Sequence, residues 1–237
     1  MLLTYKTILS KKSQLNSNTY LYHFNLIEPK EIIFKPGQYV MLKVPSDKGP
    51  VSRLYSIASP NTNRNSFELI IGMVPGGLAS NYLFSLKENT EVIFQGPAGM
   101  YGMRENEKEK IFLVTGTGIA PILSMIKSEY KISNVKYQIF WGLKNYEDVY
   151  LFNELKKFNI KICLSREQNL NIIPEVDRKY FQIGHVDTCL EKQILDTKYS
   201  ILNTDFYLCG GRLIVESLKQ FLLIKGIPLE NIIFEKF

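Results

Sequence analysis

The pattern of apolar residues changes character once along the chain, at the charged run from Arg104 to Lys110, and that change limits the fold more than any other feature. Before it, short segments alternate in polarity and are rich in Tyr, Thr and Phe. Thr4–Leu9, Thr19–Leu26, Gln38–Val44, Arg53–Ala58, Phe67–Val74 and Glu91–Gln95 read as strands, because a period of two puts one face of a strand in the core. Turn signals separate them, at Pro36-Gly37, Pro45–Pro50, Pro60–Ser66, Pro75-Gly76-Gly77 and Gly96–Gly99, and Ser80–Ser85 fits one or two helical turns. Short strands at this spacing predict a small antiparallel β-barrel. After the charged run, Ile111–Val114 is a continuous apolar stretch, as expected of a parallel strand covered on both faces. Strands at Tyr137–Trp141, Ile160–Leu164, Phe206–Leu208 and Ile232–Phe237 then alternate with helices at Ile119–Tyr130, Val149–Phe158, Val186–Ile194 and Ile214–Lys225. That alternation predicts a doubly wound α/β domain on a parallel sheet. The expected organisation is a barrel domain at 1–104 and an α/β domain at 105–237.

Composition narrows the function classes. The chain has 237 residues, 45% hydrophobic and 22% charged, with a formal net charge of +6. The lysines are dispersed, and no nucleic-acid-binding motif accompanies them. A mild positive charge of this kind suits the steering of an acidic protein or a phosphorylated cofactor. No apolar run approaches the roughly 18 residues of a membrane helix, and Met1–Lys12 lacks the apolar centre of a signal peptide. The three cysteines, Cys163, Cys189 and Cys209, are widely spaced in sequence and form no CxxC pair. This speaks against a disulfide framework, a zinc site or an iron–sulfur cluster, and for a reducing, cytoplasmic setting. His23 and His185 make no metal or acid–base pair.

Four stretches carry chemistry. Arg53-Leu54-Tyr55-Ser56 places a cation, an aromatic ring and a hydroxyl close together on one strand. Arg pairs bidentately with phosphate, Tyr stacks on a flat heterocycle and Ser hydrogen-bonds a ring nitrogen. Together they describe a seat for a planar cofactor with a pyrophosphate tail, such as FAD; an edge strand with a surface Arg and a half-buried Tyr has the same pattern. Gly116-Thr117-Gly118-Ile119-Ala120-Pro121 follows a buried strand and opens a helix. There glycines admit a ligand close to the backbone, and the helix start offers free N–H groups to phosphate; a tight turn requiring small residues has the same appearance. Tyr207-Leu208-Cys209-Gly210-Gly211 lies at the C-terminal end of another strand, where ligands of open α/β sheets sit, although Cys209 alone reads as a small buried hydrophobe. The chain ends on Phe234-Glu235-Lys236-Phe237, an ordinary way to finish a sheet and also a way to bring a carboxylate and a ring to a site.

These stretches, with Ala79-Ser80-Asn81-Tyr82-Leu83, Gly96-Pro97-Ala98-Gly99 and Ser165-Arg166-Glu167-Gln168, occur in the order seen in the ferredoxin–NADP⁺ reductase family, which the chain resembles from about residue 5 to its end. The resemblance implies an FAD-binding barrel followed by a nicotinamide-binding α/β domain. It implies that Arg53 binds the FAD pyrophosphate with Leu54 beside it, that Tyr55 stacks on the isoalloxazine and that Ser56 hydrogen-bonds near flavin N5. Ile71 and Gly72 would offer backbone to the ring or ribityl chain, and Gly77, Ala79 and Ser80 would meet the pyrophosphate. Gly116, Thr117, Gly118 and Pro121 would hold the flavin edge and the nicotinamide dinucleotide. Cys209 and Gly210 would lie against the nicotinamide with Glu235 nearby, so that Ser56, Cys209 and Glu235 form the catalytic set. Phe237 would take the place of the terminal aromatic that shields the flavin and yields to nicotinamide; many members carry Tyr or Trp there. Ser165 and Arg166, supported by Arg178, Lys179 and Tyr180, match positions that grip the 2′-phosphate of NADP, which favours NADPH over NADH. The implied activity is electron transfer between NAD(P)H and a one-electron carrier, an acidic ferredoxin or flavodoxin, by a monomeric enzyme. Alternatives are a reductase of free flavin, ferric iron or a cytochrome, and a flavin-carrying subunit of a larger complex. The stretch resembles bacterial oxygenase reductases around Gly76-Gly77 and carries no fused ferredoxin domain, which makes the acceptor a separate molecule.

Overall fold

The structure, a computed structural model, describes residues 2–128, 135–196 and 203–237. The chain divides into two compact units, Met1–Arg104 with Ala120–Tyr130, and Glu105–Ile119 with Lys131–Phe237. In the first, β1 (Leu3–Gln14), β2 (Thr19–Glu28), β3 (Tyr39–Val44), β4 (Val51–Ser56), β5 (Ser66–Gly72) and β6 (Glu91–Ala98) form an antiparallel six-stranded sheet in the order β4-β3-β6-β1-β2-β5. A single bridge between Ile57 and Leu69 joins the two end strands and closes the sheet into a barrel. The alternation in sequence is the alternation in burial: Tyr5, Thr7 and Leu9 of β1 are buried, and so are Val40, Leu42 and Val44 of β3. The centre is a ring cluster of Phe24, Phe67 and Phe94, with centroids 4.8 to 5.6 Å apart; Phe94 meets the other two edge to face, and such contacts add about 1 kcal/mol each beyond the buried area. Helix α1 (Leu78–Ser85) sends Leu83 into the same core. Helix α2 (Ile119–Lys127) belongs to this unit by its packing: Ser124 Oγ donates to the Ser59 carbonyl at 2.8 Å, and Ser128 Oγ accepts the Asn61 N–H at 3.1 Å. The last two residues of the helix expected there, Glu129 and Tyr130, lie outside the described residues.

The second unit is built on β7 (Glu109–Thr115), β8 (Tyr137–Leu143), β9 (Ile160–Leu164), β10 (Phe181–Ile183), β11 (Thr204–Gly210) and β12 (Ile232–Lys236). They pair in parallel in the order β10-β9-β8-β7-β11-β12. Strand β11 is buried throughout, as expected of a central parallel strand, with the apolar run Phe206–Cys209 after a buried Thr204 and Asp205. Helices α3 (Phe152–Leu155), α4 (Val186–Asp196) and α5 (Arg212–Ile224) lie in the connections. Among the described residues no helix is long and apolar enough to cross a membrane.

Three local differences from the sequence expectation have physical causes. Strand β7 starts two residues inside the charged run, because Lys110 enters the sheet paired with buried Asp205 at 2.9 Å, and Asn106 donates to the same carboxylate at 2.9 Å. A buried charge is tolerable when paired and hydrogen-bonded in this way. The helix expected at 149–158 is reduced to α3, since Leu151 takes a left-handed conformation (φ 50°) and Asn145 to Asp148 closes a separate capped turn. Strand β10 was not anticipated; three residues after a short 3₁₀ turn, Glu175–Tyr180, carry no readable period.

Candidate functional site

In the barrel, Arg53 to Ser56 lie on β4, an end strand of the sheet. The register of β4 on β3 pairs Arg53 with Leu42 and Tyr55 with Val40. Arg53 and Tyr55 therefore share a face, since side chains alternate along a strand. Tyr55 is half-buried against the barrel core, and burial raises its phenol pKa against the opposing pull of the Arg53 charge. Arg53 is exposed, donates only to its neighbour's carbonyl at Ser52 (3.0 Å) and has no carboxylate within ion-pair reach among the described residues. Leu54 is 56% exposed.

The Ile57–Leu69 bridge is isolated: β4 and β5 form no ladder beyond it. Continuing its antiparallel register puts Tyr55 level with Ile71, and Leu54 level with Gly72, across an open seam. The two stretches singled out on separate strands, Arg53–Ser56 and Ile71–Gly72, are thus opposite lips of one gap, across which β4 and β5 form no ladder. Ile71 itself is buried and Gly72 half-buried.

Gly77 is the N-cap of α1 and brings no side-chain cap, which leaves the first N–H groups of the helix without one. Ala79 and Ser80 are buried in that first turn. The Ser80 hydroxyl accepts the Val74 N–H at 2.9 Å; its own hydrogen remains a donor. A cation facing an open seam and an uncapped helix start are the groups that an anionic dinucleotide requires, so the barrel fits FAD.

In the second unit the chain order of the sheet reverses between β7 and β11, and two of the motifs meet there at their strands' C-terminal ends. Thr115 is followed by a 3₁₀ turn, Gly116–Gly118, and β11 ends on Cys209-Gly210. A Cβ on Gly118 would stand 2.4 Å from the Cys209 carbonyl oxygen, and one on Gly210 would stand 2.3 Å from Thr115 Oγ1. Only glycine lets Gly118 lie so close to the Cys209 backbone and Gly210 so close to the Thr115 side chain. Gly116 sits at φ +53°, with nothing within 4 Å of the position a Cβ would take. The crevice is therefore tight on its protein side and open beside the turn, a cradle suited to a dinucleotide. Pro121 is buried in the first turn of α2, where a missing N–H costs nothing.

Cys209 is 1% exposed, paired in register with Val114 and Glu235; burial and then the Glu235 charge push its thiol pKa far up. Both causes favour the neutral thiol. Glu235 is half-buried on β12. Phe237 is 61% exposed, and its backbone wraps Gly210, donating to the Gly210 carbonyl at 3.2 Å and accepting the Arg212 N–H at 3.1 Å. The chain's last residue is thereby fixed beside the Cys209-Gly210 end.

Ser165 and Arg166 follow β9 and are pinned to β8: their N–H groups donate to Leu143 and Lys144 carbonyls at 3.0 and 2.9 Å, and Ser165 Oγ also donates to Leu143 at 3.2 Å. The Arg166 side chain is exposed. Arg178 donates to the Ile173 carbonyl at 3.1 Å and Tyr180 lies edge-on to Phe152. Phe181 pairs with Ile162, so Tyr180 lies level with Lys161, roughly 13 Å along the strand from Ser165 at ~3.3 Å per residue. The register thus sets Tyr180 apart from Ser165 along the sheet.

Residues outside the motifs support the crevice. Trp141 Nε1 and the Tyr150 hydroxyl both donate to the Gly116 carbonyl, at 2.9 and 3.1 Å. Trp141 stood out only as a strand residue, and neither sits at a recognisable spacing. Cys163 and Cys189, 26 positions apart in sequence, are buried free thiols in contact, and burial raises the Cys163 thiol pKa.

Comparison with known proteins places both halves. Residues 6–102 match the oxidoreductase FAD-binding domain family and residues 112–220 the oxidoreductase NAD-binding domain family. The toluate 1,2-dioxygenase electron transfer component of Pseudomonas putida is 30% identical over 98% of this chain and 67% of that protein. Among solved structures, a ferredoxin NADP⁺ reductase from Neisseria gonorrhoeae with bound FAD and NADP superposes at a TM-score of 0.82, with 20% identity, over 99% of this chain and 98% of that one. The Amycolatopsis cytochrome P450 reductase GcoB superposes at 0.86, with 21% identity, over 100% of this chain and 70% of that one. At those identities the structures speak for the fold. The chain spans between 38% and 67% of the length of the curated relatives it matches.

Proposed function

The chain belongs to the ferredoxin–NADP⁺ reductase family of FAD- and NAD(P)-binding oxidoreductases, and from that premise we propose that it takes a hydride from NAD(P)H and releases the electrons one at a time to a separate carrier. Bound FAD supplies that conversion of a two-electron donor into single-electron steps. The observation that carries the reading is the close approach of Gly118 to the Cys209–Gly210 backbone at the sheet's switch point, which brings the Gly116–Gly118 turn, with open space beside Gly116, to the end of β11.

The chain's own residues bind and orient. Arg53 supplies a cation for the pyrophosphate of FAD, and the first turn of α1, with Ala79 and Ser80, supplies N–H and O–H donors to it. Tyr55 offers a ring for stacking and Ser56 a hydroxyl at the seam, with Ile71 and Gly72 opposite. Thr117 and its glycine neighbours seat the nicotinamide nucleotide. Cys209, kept neutral, gives an uncharged wall, and Glu235 and the exposed Phe237 ring lie at the same strand ends. Hydride transfer needs the two rings in near contact, so orientation is the protein's main contribution.

NADPH is favoured over NADH by Ser165 and Arg166 alone: an exposed guanidinium on a backbone-pinned loop suits a 2′-phosphate. The electron acceptor is an acidic ferredoxin or flavodoxin, matched to the +6 charge of the chain, and the enzyme works as a cytoplasmic monomer. The name of the Pseudomonas putida relative, an electron transfer component, supports a protein acceptor over free flavin or ferric iron.

The test is an absorbance spectrum of purified protein, then anaerobic titration with NADPH and, separately, NADH. A flavin spectrum bleached at lower NADPH concentration is expected. No flavin after reconstitution with FAD would remove the central claim. Arg166→Ala should raise the KM for NADPH about tenfold and leave that for NADH in place, since a charge-assisted phosphate contact is lost; equal effects on both would end the 2′-phosphate role.

A further inference from the structure

Gly116 is a residue whose peptide can turn over cheaply, because glycine accepts either sign of φ. Its carbonyl is nevertheless held by two buried side chains from different elements. The Trp141 indole N–H, on β8, reaches it at 2.9 Å, and the Tyr150 hydroxyl, from the loop before α3, at 3.1 Å. The two rings meet edge to face with centroids 4.8 Å apart, at 0% and 4% exposure. Two donors satisfy both lone pairs of that oxygen. A trans peptide is planar, so fixing the C=O toward Trp141 and Tyr150 directs the following N–H, that of Thr117, the opposite way. This N–H lies in the opening turn of the 3₁₀ segment, where no intrahelical acceptor exists. Beside it Gly116 leaves open space, and both residues are only half-buried.

We propose that Trp141 and Tyr150 are positioning residues that lock the Gly116–Thr117 peptide so that the Thr117 N–H donates to an acceptor oxygen of the bound nicotinamide dinucleotide. The inference rests on reading this crevice as the NAD(P) site. It assigns a task to two aromatic side chains that touch no ligand themselves and act through one carbonyl oxygen.

The experiment compares the FAD-loaded full chain with Tyr150→Phe, which keeps the ring and removes one donor. NADP⁺ and NAD⁺ binding is measured by calorimetry, and KM and kcat with ferricyanide as acceptor. The expected result is nucleotide binding weakened about fivefold, the loss of one modest hydrogen bond, with KM rising more than kcat falls and with wild-type FAD content. A role confined to packing would lower the melting temperature and leave the nucleotide dissociation constant at the wild-type value, and that result overturns the proposal. Wild-type protein that binds neither nucleotide would instead sink the NAD(P) reading itself. Should Tyr150→Phe fail to fold, amide hydrogen exchange on the wild-type chain decides. Slowing at Thr117 on adding NADP⁺ is expected, and exchange at Thr117 that NADP⁺ leaves unchanged overturns the proposal.

Discussion

The barrel and the parallel-sheet unit each present their candidate ligand groups, and they do so in opposite ways. On β4 the groups that would meet a ligand are side chains, Arg53, Tyr55 and Ser56, standing on an end strand that the sheet closes with a single bridge. At the ends of β7 and β11 they are peptide groups of the Gly116–Gly118 turn, half-buried at Gly116 and Thr117 with open space beside Gly116, and fixed by the packing of Gly118 on Cys209 and by Trp141 and Tyr150. A site made of side chains tolerates backbone adjustment and loses function one residue at a time. One made of backbone is coupled to the packing beneath it, so that damage to binding and damage to stability arrive together.

Gly118 and Gly116 give the sharpest way to break that contrast, because they lie two residues apart in one motif. A methyl group at Gly118 meets the Cys209 carbonyl oxygen at 2.4 Å, a backbone atom that cannot swing aside. Gly118→Ala should cost about 3 kcal/mol, at the upper end of overpacking penalties, and abolish nucleotide binding. At Gly116 the methyl group meets nothing, and only the positive φ opposes it, so Gly116→Ala should cost about 1 kcal/mol. Urea unfolding of the two variants side by side checks the order; equal costs would mean that the close approach to Cys209 is not what requires glycine.

The same unit should show its coupling in pH. Burial pushes the Tyr150 phenol far above the ordinary tyrosine value. Above about pH 10 the unfolded chain releases this proton and the folded chain keeps it, so stability falls as pH rises through that range. Tyr150→Phe should remove about 1.4 kcal/mol of that loss per pH unit above 10. Parallel alkaline limbs in wild type and variant would show that Tyr150 ionises within the folded chain.

On the barrel side the expected change separates function from stability. Tyr55→Ala should weaken FAD retention about tenfold, the scale of one aromatic stacking contact with its buried area, while the flavin-free protein unfolds nearly as before, since Tyr55 is only half-buried on its edge strand. Flavin absorbance after exhaustive dialysis, set against thermal unfolding of the apoprotein, measures both. A large loss of apoprotein stability with full flavin content would reverse the comparison.

This division also explains what could be read from the chain. Strand periodicity in the barrel, the apolar run before Gly116 and the glycine motifs were legible because each is local: a period of two, or a small residue at a turn, leaves its mark within a few positions. The strand at Arg53–Ser56 was legible for the same reason. Trp141 and Tyr150 were not, because their partner is a carbonyl oxygen 25 and 34 residues away, and a carbonyl oxygen has no sequence signature. Lys110 fell outside the strand expected at Ile111–Val114 because its burial depends on Asp205, 95 positions on. The distance between Tyr180 and Ser165 was hidden too: it is set by the register of β10 on β9, and a three-residue strand announces no register.

The barrel has a support of its own, and it is a side chain, as the comparison requires. Lys12, on β1, puts its ammonium 2.5 Å from the Phe84 carbonyl oxygen and 3.5 Å from that of Leu83, both in the last turn of α1. It also stands over the rings of Phe84, Tyr20 and Tyr22, at 4.7, 5.5 and 5.9 Å from their centroids. A cation at a helix C-terminus meets the negative end of the dipole, and the ring faces add their quadrupoles. Lys12 thus ties the end of α1 to β1, and the start of the same helix carries Ala79 and Ser80. Lys12→Met keeps the apolar stem and removes the charge; it should cost about 1 kcal/mol, and FAD should dissociate faster in proportion as α1 loosens. Lys12→Arg should restore both, because the guanidinium offers the same charge to the same carbonyls. If the methionine variant loses stability with no change in the FAD off-rate, α1 is held at its start by the Gly77–Ser80 turn alone. The two units would then differ further: one would fix its ligand groups from beneath, and the other through the turn that presents them.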